Sequence, residues 1–182
     1  MLTIATIKCE PCRKVGACVR TGECCHIREK VQIDAEQEAF LKQHVFVTSG
    51  VVYLYPFSRY TISISHEEAE FMRAEAQKRK LALKILPKKV LYDASHDRAI
   101  VFDWFVDHAV CPFLQGTNHC SIYASRPKIC KDFPFRHLNN SQLAEIKTFI
   151  TNHQLRLSNE PYEVVVKKAR DSLTMQGIIA ND

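Results

Sequence analysis

The residues of this chain most able to do chemistry are its eight cysteines, and they fall into two groups. Cys9, Cys12, Cys18, Cys24 and Cys25 form the first, and Cys111, Cys120 and Cys130 the second. The 85 residues between Cys25 and Cys111 hold none. Thiols used as ordinary small apolar residues would be scattered along the core elements. A thiolate metal site instead draws several sulfurs to one point, and clustering at short spacing serves that. Cys9 and Cys12 have two residues between them, a turn that lets both sulfurs face one ion. One such pair is a weak signal, while two groups of three or more cysteines are a strong one. Elsewhere the spacings are loose, whereas zinc sites commonly use two such pairs. Iron–sulfur clusters take thiolates almost exclusively. The ligand rules therefore point to a 4Fe–4S cluster, with zinc as the alternative and a second metal site left open. Adjacent residues of an extended chain face opposite sides. Cys24 and Cys25 thus suit two neighbouring sites, two irons of one cluster, or one ligand beside a buried thiol. One or two of the eight are expected to be inert buried thiols. His26 and His119 each adjoin a cysteine and are read as outer groups rather than ligands.

The second group sits in a long ordered run. It reads Cys111-Pro112-Phe113-Leu114, then Cys120-Ser121-Ile122-Tyr123, then Arg126-Pro127-Lys128-Ile129-Cys130-Lys131-Asp132-Phe133-Pro134-Phe135. With Gly22-Glu23-Cys24-Cys25 upstream, this run resembles the YkgJ-type cysteine-cluster family, whose signature is written CxxCxxCC and whose domain is described as zinc- or iron-chelating. The resemblance covers roughly residues 9–136. It departs at Thr21, which stands where the family has a cysteine, and Lys131 replaces an arginine. Cys9 and Cys12 are added upstream, where one could fill the vacated place or the pair could help form a second site. The resemblance implies metal or iron–sulfur binding. Related domains occur in flagellin lysine N-methylases, which makes a methylase-like enzyme a third reading behind an iron–sulfur protein and a zinc-stabilised interaction module. Arg126 and Lys128 are placed to offset thiolate charge, and Arg126 is the candidate cofactor-contacting residue outside the ligand set. Phe113, Phe133 and Phe135 either keep water from the site or simply pack in the core.

Other chemistries find little support. With only five glycines there is no G-x-G-x-x-G and no P-loop. H-E-x-x-H, G-x-S-x-G and the radical-SAM C-x3-C-x2-C spacing are absent as well, and no catalytic residue is identified. The formal charge is +5. Metal-bound cysteines are thiolates, so the loaded protein is less basic than that, and nucleic acid is not an expected partner. Lys78, Arg79, Lys80, Lys84, Lys88 and Lys89 read as a solvated helix end. Asp93, Asp97, Asp103 and Asp107 read as the exposed edge of a hairpin. A protein partner is left open. No segment approaches the ~20 apolar residues of a membrane span. The start, MLTIATIKCE, has no basic leader region, so a cytoplasmic location is expected, where disulfides are rare.

The elements that must position the cysteines follow from pattern. The chain, with 46% hydrophobic and 25% charged residues, reads as one domain over 1–182. Residues 9–136 form the metal-binding region and 137–182 a helical extension. Residues 1–30 read as loop around a metal. Asp34 with Gln37 opens a helix to about His44, and Ser65 with Glu68 opens another. Val51–Phe57, Tyr60–Ser65, Val90–Tyr92 and Ala99–Val106 read as strands. Pro127 starts a short helix carrying Cys130. A helix starts near Asn139–Ser141 with Leu143, Ile146 and Ile150 on one face. The last runs from Pro161 to before Gly177 with Tyr162, Val165, Val166, Ala169 and Leu173 inward. The expected fold is α+β: a small antiparallel sheet, three to four helices, and a cysteine-ligated metal site joining the N-terminal loop to residues 111–135.

Overall fold

The structure, a computed structural model, describes residues 14, 19–26, 33–57, 63–132 and 141–180. Helix α1 (Ala35–Ser49) begins where the Asp34 carboxylate accepts a hydrogen bond from the Gln37 amide at 2.7 Å. This satisfies one of the free donors at a helix start. The helix ends at Gly50, whose φ of 72° is the left-handed conformation of a helix stop. It passes the expected end near His44 because Val45 and Phe46 continue its inner face into two apolar cores.

Strands β1 (Val51–Tyr53) and β2 (Ser63–Ile64) come next, then helix α2 (His66–Arg79) and the long strands β3 (Ile85–Asp93) and β4 (Arg98–Val106). The short strands β5 (Leu114–Gln115) and β6 (His119–Cys120) follow, then the single-turn helix α3 (Lys128–Asp132). Helices α4 (Ser141–Asn152) and α5 (Tyr162–Met175) complete the chain. The fold is α+β, with an antiparallel sheet in the order β1-β3-β4-β2 and a separate β5–β6 ribbon. Five α-helices stand among the described residues, and the one-turn α3 carries the number past four. Strand β1 is shorter than Val51–Phe57; of the expected Tyr60–Ser65, Ser63–Ile64 is strand and residues 60–62 lie outside the described residues. Strand β3 starts five residues before Val90, where Pro87, Lys88 and Lys89 mask the strand pattern.

The chain divides into two compact units. One takes in Ile33–Pro56, Leu86–Trp104 and Leu138–Asp182. Its register pairs Val51 with Leu91 and Val52 with Val90. Side chains alternate faces along a strand, so these two pairs serve opposite sides of the sheet. Val52, Val90, Tyr92 and Ala99 pack with Val165, Ala169 and Leu173 of α5. Val51 and Leu91 pack with Ile146 of α4, flanked by Phe149 and Ile150. Full burial of each large aliphatic chain contributes about 1.5–3 kcal/mol. The inward set expected for α5 is observed. Leu143, expected beside Ile146, is exposed.

Two charge readings are corrected here. Lys89 is buried, with its Nζ 3.1 Å from an Asp103 carboxylate oxygen and 5.6 Å from the Tyr53 ring centre. It belongs to no solvated helix end, because β3 carries it into the sheet. Asp93 and Asp103 are buried rather than at an exposed edge. Asp93 accepts hydrogen bonds from the amides of Ser95 and Arg156, both at 3.1 Å, and pairs with His96. These partners compensate the loss of water around the carboxylate.

The other unit takes in Met1–Gln32, Phe57–Ile85 and Phe105–His137. Helix α2 opens on a complete capping box, with Ser65 and Glu68 each bonding the other's amide. Ala69, Met72 and Ala76 form its buried stripe. Lys80 ends it at a φ of 54°. Glu68 does a second job: its other oxygen accepts from the Lys128 amide at 2.5 Å, at the start of α3.

Candidate metal centre

Residues 19–26 carry the first described thiols. Arg20 and Gly22 have φ of 57° and 78°. An added Cβ at Gly22 would stand 2.1 Å from the Thr117 carbonyl oxygen, so only glycine fits this turn as it lies. A one-turn 3-10 helix over Glu23–Cys25 follows, with the Cys25 amide donating to the Gly22 carbonyl at 2.9 Å. The chain then runs antiparallel to the 110–111 segment. His26 bridges Val110, and the Cys111 amide donates to the Cys25 carbonyl at 2.8 Å. Backbone bonds thus fix Cys25 beside Cys111.

The second group is positioned by three local devices. The β5–β6 ribbon sets Cys120 opposite Leu114. It is closed by the Ser121 amide donating to the Phe113 carbonyl at 2.9 Å, over the fully buried Phe113 ring. Arg79 of α2 donates to the Ser121 carbonyl at 3.3 Å. Pro127 starts α3, where the Cys130 amide donates to the Pro127 carbonyl at 2.9 Å and Glu68 caps Lys128.

These segments bring five thiols together. Cys111 is buried and Cys24, Cys25, Cys120 and Cys130 are half-buried. Cys25 bonds to the sulfurs of Cys111 and Cys24, and those bonds, with burial, push its thiol up. Cys111 is held down by the same contact. Burial pushes Cys130 up, and the charges of Cys111, Cys24 and Cys120 add to it. Burial also raises Cys120. Arg126 works the other way on both Cys120 and Cys130. Cys25, Cys120 and Cys130 thus resist ionisation beside their neighbours, and a bound cation would oppose that.

Among the described residues, no group of three or more His, Cys, Asp or Glu side chains is placed to hold a metal ion. The donors that do converge are all sulfur, and that chemistry fits zinc or iron. Cys9, Cys12 and Cys18 lie outside the described residues, as do Phe133 and Phe135. His26 and His119 are exposed. A model of the CxxCxxCC family, described as a putative zinc- or iron-chelating domain, matches residues 9–154. The chain belongs to this family. The CxxCxxCC match runs past residue 136 and takes in all of α4. It supports metal binding by the cysteine cluster, with zinc or iron as the ion. No curated protein and no solved structure matches the chain. No helix among the described residues is long and apolar enough to cross a membrane.

One side chain beside the thiols escapes sequence reading. Arg20 and Arg126 each place a guanidinium carbon 4.0 Å from the centre of the Tyr123 ring. Tyr123 and Arg126 stand in the long cysteine run, but Arg20 has no motif to mark it. Glu68 is visible as a capping residue, whereas its bond to Lys128 spans 60 positions and leaves no local signal.

Proposed function

We propose that this protein holds one thiolate-bound metal centre built from both ends of its cysteine pattern, and that the occupant is an iron–sulfur cluster serving electron transfer, cluster handling or protein modification. The observation that carries this reading is the convergence of Cys24, Cys25, Cys111, Cys120 and Cys130, with hydrogen bonds and charge effects running between the sulfurs. An all-sulfur set suits an iron–sulfur centre, which takes thiolates almost exclusively. When bound, such a cluster supplies one-electron chemistry. The chain's own part is to present sulfurs on a turn, a ribbon and a short helix, and to shield them with Phe113. The remaining thiols, Cys9, Cys12 and Cys18, complete the set or form a second site.

One observation favours zinc as the second reading. Cys25 is in direct hydrogen-bond contact with both Cys24 and Cys111. Sulfurs at ~2.3 Å around one tetrahedral ion lie about 3.8 Å apart, close to such a contact, whereas a cubane spreads its ligands wider. In that case the centre stabilises an interaction module. A methylase-like activity remains a third reading that no residue on the site supports.

Purification without oxygen, followed by optical and EPR spectra and metal and sulfide analysis, decides among these. Iron with acid-labile sulfide, visible thiolate-to-iron absorption and a reduced-state EPR signal are the expected results. A colourless protein with zinc alone transfers the centre to the second reading. A protein with neither metal removes both.

A further inference from the structure

Tyr123 stands between the two cysteine segments of the centre, one turn after Cys120. The guanidinium carbons of Arg20 and Arg126 both lie 4.0 Å from its ring centre. Both guanidiniums therefore lie against the Tyr123 ring. Arg20 comes from the segment that carries Cys24 and Cys25. Arg126 and Tyr123 come from the segment between Cys120 and Cys130. The stack therefore joins side chains from both halves of the thiol cluster, alongside the backbone bond from Cys111 to Cys25.

Two features mark the stack as more than packing. Arg20 has a φ of 57°, a left-handed conformation that a residue with a Cβ adopts only at a cost. That backbone sits two residues before Gly22, where the turn toward Cys24 and Cys25 begins. Like charges on one ring also repel, so the arrangement gains from negative charge close by. The thiols supply it: the charge of Arg126 already acts on Cys120 and Cys130. A divalent ion in four thiolates carries about −2, and two guanidiniums bring the local sum to about zero.

We propose that Arg20 and Arg126, both held against the ring of Tyr123, form a clasp that locks the Cys24–Cys25 turn onto the Cys120–Cys130 segment and neutralises the metal-loaded thiolate centre. Arg20 is a positioning residue in this role, since it acts through Tyr123 and through charge. The clasp rests on the thiolate-centre reading given above, whichever of the two metals occupies it. Each guanidinium gains a cation–π contact with the ring.

The test uses the full chain, reduced and stripped of metal. Zn(II) affinity is measured by competition with a chromophoric chelator, and Co(II) is used to read the thiolate charge-transfer bands. Arg20→Gln and Tyr123→Leu are expected to weaken both metals about tenfold or more, the usual effect of removing a group that supports metal ligands. Tyr123→Phe keeps the ring and is expected to bind as the wild type does. Arg20→Lys keeps the charge without the planar stack and is expected to recover part of the loss. Added salt should narrow the gap between Arg20→Lys and Arg20→Gln, because a charge effect is screened. Arg20 is exposed, so far-UV circular dichroism of these variants should match the wild type. Wild-type affinity in Arg20→Gln and Tyr123→Leu would overturn the clasp. Equal losses in Arg20→Lys and Arg20→Gln would overturn its neutralising role. A wild-type chain that binds no metal fails differently, because it removes the thiolate-centre reading before any variant is compared.

Discussion

Around Val165, Ala169 and Leu173 this chain buries hydrocarbon against hydrocarbon, and around Cys25 and Cys111 it buries thiols against thiols. The first unit closes on its own terms. Both faces of its sheet carry apolar layers, and its buried Lys89 and Asp103 answer each other. The second is held by backbone devices: the Gly22 turn, the Cys25–Cys111 bond, the β5–β6 ribbon and the Glu68 cap on α3. These devices bring sulfurs together but leave their mutual resistance to ionisation unanswered. The difference teaches where the metal matters. Folding of the apolar unit should be indifferent to the ion, whereas the cysteine unit should gain its final stability from it, since binding the folded form alone adds stability by mass action.

The largest effect expected on this contrast comes from the apolar side. Leu173→Ala should destabilise the chain by about 2–5 kcal/mol in denaturant melts, because it opens a cavity against the sheet. Metal bound per folded chain should stay at the wild-type value. A matching loss of metal would break the separation between the two units.

Gly22→Ala should act on the cysteine side. Its Cβ would strike the Thr117 carbonyl at 2.1 Å from a backbone φ of 78°, so the turn must move. A local cost of about 1–3 kcal/mol is expected, together with metal affinity lowered about tenfold. Amide hydrogen exchange should rise over 22–26 and 110–120 and stay low over 162–175. Unchanged affinity would show that the turn does not set the site.

A pH dependence belongs to the apolar unit. Burial pushes Lys88 down to about 8. Below that pH the folded chain holds a charge it disfavours, and above it the unfolded chain binds the extra proton. Stability should therefore rise from about pH 8 toward the ordinary lysine value near 10.4. Lys88→Gln should abolish that rise, which denaturant melts at three or four pH values would read.

Much of this was legible in the sequence for local reasons. Capping signals at Asp34, Ser65 and Pro161 are short-range, and each marks a helix start in the structure. The period of Val165, Ala169 and Leu173 names the buried face of α5. Clustered cysteines identify the donors because few other needs group thiols so tightly. What stayed hidden is long-range. The start of β3 was concealed because Pro87, Lys88 and Lys89 look unlike a strand, and the ion pair that holds Lys89 inside comes from Asp103, 14 positions away. The second role of Glu68 and the approach of Arg20 to Tyr123 depend on chain reversal, which no spacing records. The β5–β6 ribbon was missed because Gly116 and Asn118 read as loop, and its strands are only two residues each.

The central claim is that both cysteine groups serve one centre. It is tested most directly by metal and sulfide content per chain, measured after oxygen-free purification, in three proteins side by side. These are the wild type, the triple variant Cys111→Ser, Cys120→Ser, Cys130→Ser, and the double variant Cys24→Ser, Cys25→Ser. The account predicts that each variant loses the same metal complement and the same absorption bands, while helices of the apolar unit persist by circular dichroism. Full metal retained in either variant would contradict it.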